Sequence, residues 1–467
     1  MSARKKARQR IGRVSLYEHH GGWWLYYRRE GSQCRQHVGA SQPMAECEAS
    51  LLNAELAAAQ AELSLDQILA GRFGKAPPTS GQLPAIPISE LRQRFLEHHD
   101  RVLASSLATI ARYSTATLYL ERFAAQRKLS NADSLPATQF IEHLRTVEVT
   151  PNGHANTARR RLRDKGISYI LECCRSMYHF GIRHGIVSRE PGNPFSDIGL
   201  GKLKIRDAKP IFVFTAQQEA AFFQAARAHP FVIHFTLART GLRPGELVHL
   251  LIEDLDLPGG WLQVRSKAEL GWITKTARER RVPLIPEVVA ILRYATASRS
   301  TGLVFQRPAH GTDEPSWLEG DRYALSQITS QRLAQARAQH GRTVTRHEQS
   351  RIQALVWKNA GAVEVDRIRT SFMRTAKSAG LNITCPKSWR HTFATLLQEA
   401  NVDLLVRQET LGHKPAAPEM SALGMTGVYT HTTPEFQRRE IERALRLRPQ
   451  TLEIAQRFIQ QQTSPEQ

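Results

Sequence analysis

The chain has 467 residues, and its 41% hydrophobic and 23% charged content is that of an ordinary folded protein of about two to four domains. No stretch approaches the roughly 18 apolar residues of a membrane helix, and the basic start (Met1 to Arg13) lacks the apolar core of a secretory signal, so a cytoplasmic, nucleoid-associated location is expected. Lysine and arginine number 64 against 43 acidic residues, a formal charge of +21 that attracts polyanions and makes nucleic acid, rather than a membrane, the expected partner.

The first elements are short and β-rich. Val14–Tyr17, Trp23–Arg28 and Cys34–Val38 are separated by glycine turns and predict a small three-stranded sheet behind a basic arm. Trp23, Trp24, Tyr26 and Tyr27 alternate near Arg28, Arg29 and Arg35, a pattern suited to a β-ribbon with arginines facing DNA. One aromatic face is expected to pack on the helix that follows, about Pro43 to Leu63. Lys75 to Pro87 reads as a linker. Helical periodicity then predicts helices from near Ser89, Ser106, Pro136 and Ala155. The last carries Arg159, Arg160, Arg161, Arg163 and Lys165 at its start, a candidate DNA-facing stripe or a solvated charged face.

From Pro210 the pattern stays mainly helical. Thr215 with Gln218 is a capping box. A helix over Val232–Thr240 breaks at Gly241, and Pro244 suits the first turn of the next. Trp261–Val264 and Arg281–Leu284 read as strands with Lys275 on the turn side between them. A polar, mostly helical interruption of about residues 310–361 reads as an insertion. The fold class is therefore α+β, mainly α. The five cysteines (Cys34, Cys47, Cys173, Cys174, Cys385) form no CxxC pair, so reduced thiols and neither metal nor cofactor are expected.

Several residues suit phosphate chemistry. Arg243 sits on a turn ahead of a helix start, where a planar guanidinium and free helix N–H groups both favour an anion, and Glu246 is near enough to orient it. Arg390 stands at another helix start, three residues after Lys387. His413 follows Gly412, a helix-ending glycine. Tyr429 lies in Tyr-Thr-His. Taken singly, each is more often a structural or surface residue.

Their order changes this. Gly-Leu-Arg-x-x-Glu-Leu (Gly241 to Leu247), Lys275, Arg390-His-Thr-Phe-Ala-Thr, Leu-Gly-His413 and Tyr429-Thr-His follow one another over about 190 residues and resemble the tyrosine recombinase (phage integrase) family. The resemblance implies an arm-type DNA-binding domain with its helix (1–75), a linker (76–87), a helical core-binding domain (88–205), a catalytic domain (206–450) with the insertion at about 310–361, and a tail (451–467). It implies a site-specific recombinase, an integrase of a mobile element. Double-stranded DNA would be the partner, a homotetramer on paired sites the assembly, and DNA-bending proteins accessories.

It also implies roles. Tyr429 would be the nucleophile of a 3′-phosphotyrosyl intermediate, Arg243 and Arg390 the phosphate clamp, Lys275 the general acid and His413 a phosphate donor. Two features depart from the family. Lys387 stands where histidine is usual, and lysine, with an ordinary pKa near 10.4, is a poor base at neutral pH. The segment between His413 and Tyr429 is long. Relaxation of supercoils by a type IB topoisomerase, and DNA binding without catalysis, are the alternative readings.

Overall fold

In the N-terminal sheet, strands β2 (Val14–His19), β3 (Gly22–Arg29) and β4 (Ser32–Gly39) form the expected antiparallel meander. A fourth strand, β1 (Arg8–Ile11), adds to its edge, so the sheet has four strands where the sequence pattern predicts three. The end of the basic run folds back because Gly12, at φ +57°, closes a two-residue turn and pairs Ile11 with Val14. With a single apolar residue in β1, no alternation announces it. Leu16 and Leu25 are buried against Ala45 and Ala49 of helix α1 (residues 42–53), with Trp23 and Tyr27 packed on the same face. Cross-strand pairing puts Ser15, Tyr26 and Arg35 together on the other face, beside Trp24 and His37.

The computed structural model describes residues 8–29, 32–53, 56, 85–150, 156–190, 192–196, 203–206, 210–297, 299–308, 318, 320–413 and 432–463. The chain divides into two units, Met1–Arg206 and Asp207–Gln467. In the first, α2 (Ile88–Glu97), α3 (Leu107–Gln126), α4 (Ala137–Thr146) and α5 (Asp164–Arg183) bury Leu91, Phe95, Leu120, Phe123, Phe140 and Tyr178 in one core. Ser106 caps α3 by accepting the Thr109 N–H. The helix expected from near Ala155 begins instead at Asp164. Arg160–Arg161 form a short strand, β6, paired with β5 (Glu148–Val149). The arginine run offers a helix no apolar face to bury, and periodic burial starts only at Ile167, Ile170, Leu171 and Cys174.

The second unit is built round α7 (Ala228–Thr240), whose last ten residues are all buried. Around it lie α6 (Ala216–Gln224), α8 (Pro244–Leu247), α9 (Pro286–Thr296), α12 (Val365–Ser378), α13 (Ser388–Glu399), α14 (Leu404–Leu411) and α15 (Pro434–Leu445). A three-stranded antiparallel sheet, β7 (Leu255–Asp256), β8 (Trp261–Val264) and β9 (Arg280–Pro283), flanks the core. The insertion is a hairpin of helices α10 (Arg322–His340) and α11 (Arg346–Asn359). Residues 451–463, set aside by sequence as a tail, belong to α16 (Pro449–Thr463). Leu452 and Ala455 enter the core and Phe458 stacks on Phe231 at 4.3 Å, the i, i+3, i+6 spacing of a helix face. No helix among the described residues is long and apolar enough to cross a membrane, and no group of three metal-ligating side chains occurs among them.

Candidate active site

Helix α7 stops at Gly241 in the left-handed conformation, φ +63°. A β-carbon there would lie 2.5 Å from the Phe393 ring, so only glycine lets α7 and α13 meet so closely. Two residues on, Arg243 caps α8, with Pro244 as its first residue. Glu246 turns back on Arg243, accepting its backbone N–H at 2.9 Å and its Nη1 at 2.7 Å. The same carboxylate accepts both Nη atoms of Arg280, at 3.0 and 2.7 Å. Arg280 Nε donates to the Thr410 carbonyl at the end of α14, 2.9 Å away. Burial acts to raise the Glu246 pKa, but the two guanidiniums outweigh it and hold the carboxyl below its usual range.

Arg390 reaches this place from α13. Trp389 anchors the helix start, fully buried and stacked on Phe214 at 4.0 Å. Arg390 is 8% exposed, and its guanidinium donates to the carbonyls of Gly241 (2.6 Å) and Leu411. It thus ties the ends of α7 and α14 together with three of its five N–H groups to spare. Burial, and then Arg243 and Arg280 nearby, lower its pKa to about 10, and Glu246 partly opposes them. Arg390 still carries its charge at neutral pH. His413 follows Gly412, which ends α14 at φ +62°. A β-carbon on Gly412 would lie 2.9 Å from Arg280 Cδ. Burial lowers the His413 pKa, with further contributions from Arg390, Arg243 and Arg280. The imidazole is therefore neutral at pH 7, able to donate one hydrogen bond.

Arg243, Arg390 and His413 are thus brought together, around one carboxylate and a third arginine that sequence reading missed. Arg280 opens a strand, where an arginine carries no distinguishing signal. The nearby Arg239 is different: it is buried and paired with Glu219, so in Ala-Arg-Thr-Gly-Leu-Arg it serves the core. Lys387 is exposed on the turn capping α13, where its charge, after burial, helps lower the pKa of His391. Lys275 is exposed on a turn of the β8–β9 connection. Tyr429 lies outside the described residues. Thr432, three residues later, donates to Glu409 of α14, and Gln437 donates to Thr410 at 2.9 Å.

The candidate DNA-facing residues belong to the other unit. Arg28 and Arg35 are exposed, and Arg35 lies 6.0 Å over the Tyr26 ring. Arg29 ends β3, and its side chain lies outside the described residues. Arg159 and Arg163 are exposed and Arg160 half-buried; they form a strand and its flanks, not a helical stripe.

The geometry is that of an anion cradle: three guanidiniums and a neutral histidine against a single carboxylate. Residues 214–435, the span that supplies all of these groups, match the model of the phage integrase family. Tyrosine recombinase XerC of Listeria welshimeri is 22% identical over 358 residues, covering 74% of this chain and 94% of the relative. Tyrosine recombinase XerD of Lacticaseibacillus casei is 26% identical over 278 residues, covering 57% and 71%. Among solved structures, the Tn1549 transposon integrase (aa 82–397), in complex with circular intermediate DNA, is similar at a TM-score of 0.42 and 18% identity, covering 76% of this chain and 99% of that one. Residues 214–435 thus carry a domain of the phage integrase family, and the relatives that match over more of the chain are tyrosine recombinases.

Proposed function

We propose that this enzyme is a site-specific recombinase of a mobile element that cuts and rejoins DNA through Tyr429. The observation that carries the reading is the cradle in which Arg390 lies near Arg243, itself held with Arg280 on Glu246, and His413 lies beside them. Such an array complements a phosphodiester passing through a pentacovalent transition state, and its donors need no reorganisation as charge develops.

In this reading the Tyr429 oxygen bonds to the scissile phosphorus as the bond to the 5′-oxygen breaks. A 3′-phosphotyrosyl ester and a free 5′-hydroxyl result. The ester conserves the bond energy, so rejoining needs no nucleotide cofactor. Arg243 and Arg390 hold the nonbridging oxygens, His413 donates to one of them, and Arg280 holds Glu246, hence Arg243, in place. Lys275 gives its proton to the departing 5′-oxygen. Lys387, where the family has histidine, donates to the phosphate. Thr432, anchored on α14, supports delivery of Tyr429 here, since three residues of chain span at most about 11 Å.

The outer face of the N-terminal sheet (Arg28, Arg35), with Arg29 at the end of the same strand, and the Arg159, Arg160, Arg163 cluster bind duplex DNA. Four copies act on two paired sites in the cytoplasm, with DNA-bending proteins as accessories. The test is to incubate the full chain with a nicked suicide duplex of its target site in EDTA. We expect a denaturant-resistant protein–DNA adduct that Tyr429→Phe abolishes. An adduct requiring Mg²⁺, or one that persists in the variant, would sink the reading.

A further inference from the structure

The insertion grips the base of the connection that carries Lys275. That connection leaves β8 at Arg265 and returns at β9. At its base Lys267 and Trp272 exchange backbone hydrogen bonds of 2.8 and 3.0 Å around a single 3₁₀ turn, Ala268–Leu270. The Lys267 ammonium is 1% exposed, 2.8 Å from Asp254 and 5.6 Å from the Trp272 ring centre. Higher up, the Thr274 hydroxyl donates to the Arg278 carbonyl at 3.1 Å, and Ser266 N–H donates to Glu279. The loop is therefore braced into one piece on its base.

Helices α10 and α11 hold that base from outside. Trp357 Nε1 donates to the Leu270 carbonyl at 2.9 Å, and Gln353 donates to the Glu269 carbonyl at 3.3 Å. Arg322 binds both oxygens of the Glu269 carboxylate. The fit is close: a β-carbon on Gly271, at φ +74°, would lie 2.3 Å from the Gln353 amide oxygen. The buried apolar residues of the hairpin (Leu325, Val356, Trp357) join one small cluster, and its partners include Leu270 of the loop and Leu251 behind it. Three polar contacts thus converge on residues 269–270, five or six positions before Lys275. The far end of the loop is Arg280, held in the cradle by Glu246.

We propose that the α10–α11 hairpin is a positioning element for Lys275. It fixes the tilt of the loop so that the ammonium meets the departing 5′-oxygen. Trp357, Gln353 and Arg322 are its positioning residues. The inference rests on the reading of Lys275 as proton donor, and the experiment separates the two.

The full chain would first select its core site from a randomised duplex library, and the scissile position would be mapped from the covalent adduct. Two substrates follow, with oxygen or sulfur at the bridging 5′ position. A thiolate leaves without being protonated, so sulfur removes the need for Lys275 and for nothing else. On the oxygen substrate, Trp357→Phe and Glu269→Gln, both conservative, should cut roughly 10- to 100-fold slower than the parent. On the sulfur substrate both should cut at the parental rate. Lys275→Ala should show the same rescue from a deeper loss. Equal slowing of Trp357→Phe and Glu269→Gln on both substrates, or none on either, would overturn the positioning role. If Lys275→Ala is not rescued by sulfur, the proton-donor reading itself fails and the inference falls with it.

Discussion

Glu246 is the residue on which the cradle turns. Its carboxylate is 3% exposed yet ionised, because two guanidiniums bind it at once. The single negative charge leaves Arg243, with a fifth of its side chain exposed, as the outward-facing member of the pair. Gly241 is the matching backbone device: its carbonyl accepts from Arg390 while its missing side chain admits Phe393. We expect Gly241→Ala to lower stability by about 1–2 kcal/mol from the left-handed backbone alone. The clash with Phe393 adds to this and shifts the Arg390 acceptor. Adduct formation should fall further than the fraction folded, which urea unfolding and suicide-substrate assays on one preparation would establish. An adduct yield tracking the folded fraction would mean that the carbonyl does not place Arg390. The residue types of the cradle were legible in sequence because glycine and proline punctuate it. Arg280 was not, because what marks it is a carboxylate 34 positions away.

At the scale of the element, most helices were legible where apolar spacing and caps coincide, as at Ser106 and at Thr215 with Gln218. Sequence and structure part where local pattern and tertiary fate diverge. The arginine run before α5 looked helical by its neighbours but had nothing to bury. The residues after 450 looked like a tail, yet their apolar spacing fits a core groove. α7 is the opposite case, a helix buried on nearly every side, and its His234 is trapped there. That imidazole is fully buried, hydrogen-bonded to Ser371 at 3.0 Å, and burial followed by His229 lowers its pKa to about 3. Its ordinary value is 6.5. Below pH 6.5 the unfolded chain binds a proton that the folded chain refuses, so stability is full above that pH and falls as pH drops towards 3. The slope is about 1.4 kcal/mol per pH unit, or about 2 kcal/mol between pH 6.5 and 5. Urea unfolding at pH 7 and pH 5 should show this loss, and His234→Gln should remove it. An unchanged pH dependence in the variant would place the acid sensitivity elsewhere.

Across the whole molecule, the proposed function divides the formal charge of +21 between chemistry and grip. In the proposed reading the cradle sets Arg243 and Arg390 on one phosphate in the second unit. The N-terminal sheet carries Arg10, Arg28 and Arg35 in the first, and pairing through Ser15 and Tyr26 sets Arg10 and Arg35 in one cross-strand row. If that face binds DNA, each phosphate contact releases counterions, and the binding constant falls with salt by a slope of about 0.9 per contact. Changing all three arginines to glutamine should therefore flatten the log–log salt dependence by up to about 2.7. Covalent cleavage of a saturating core-site duplex should stay at the parental rate, because the cradle is untouched. Equilibrium binding between 50 and 300 mM salt, on roughly a sixfold range, resolves a change of that size. An unaltered slope would show that the aromatic and basic face contacts no phosphates. Slower cleavage at saturation would show instead that the sheet acts on the chemistry, and the division of charge between grip and catalysis would have to be redrawn.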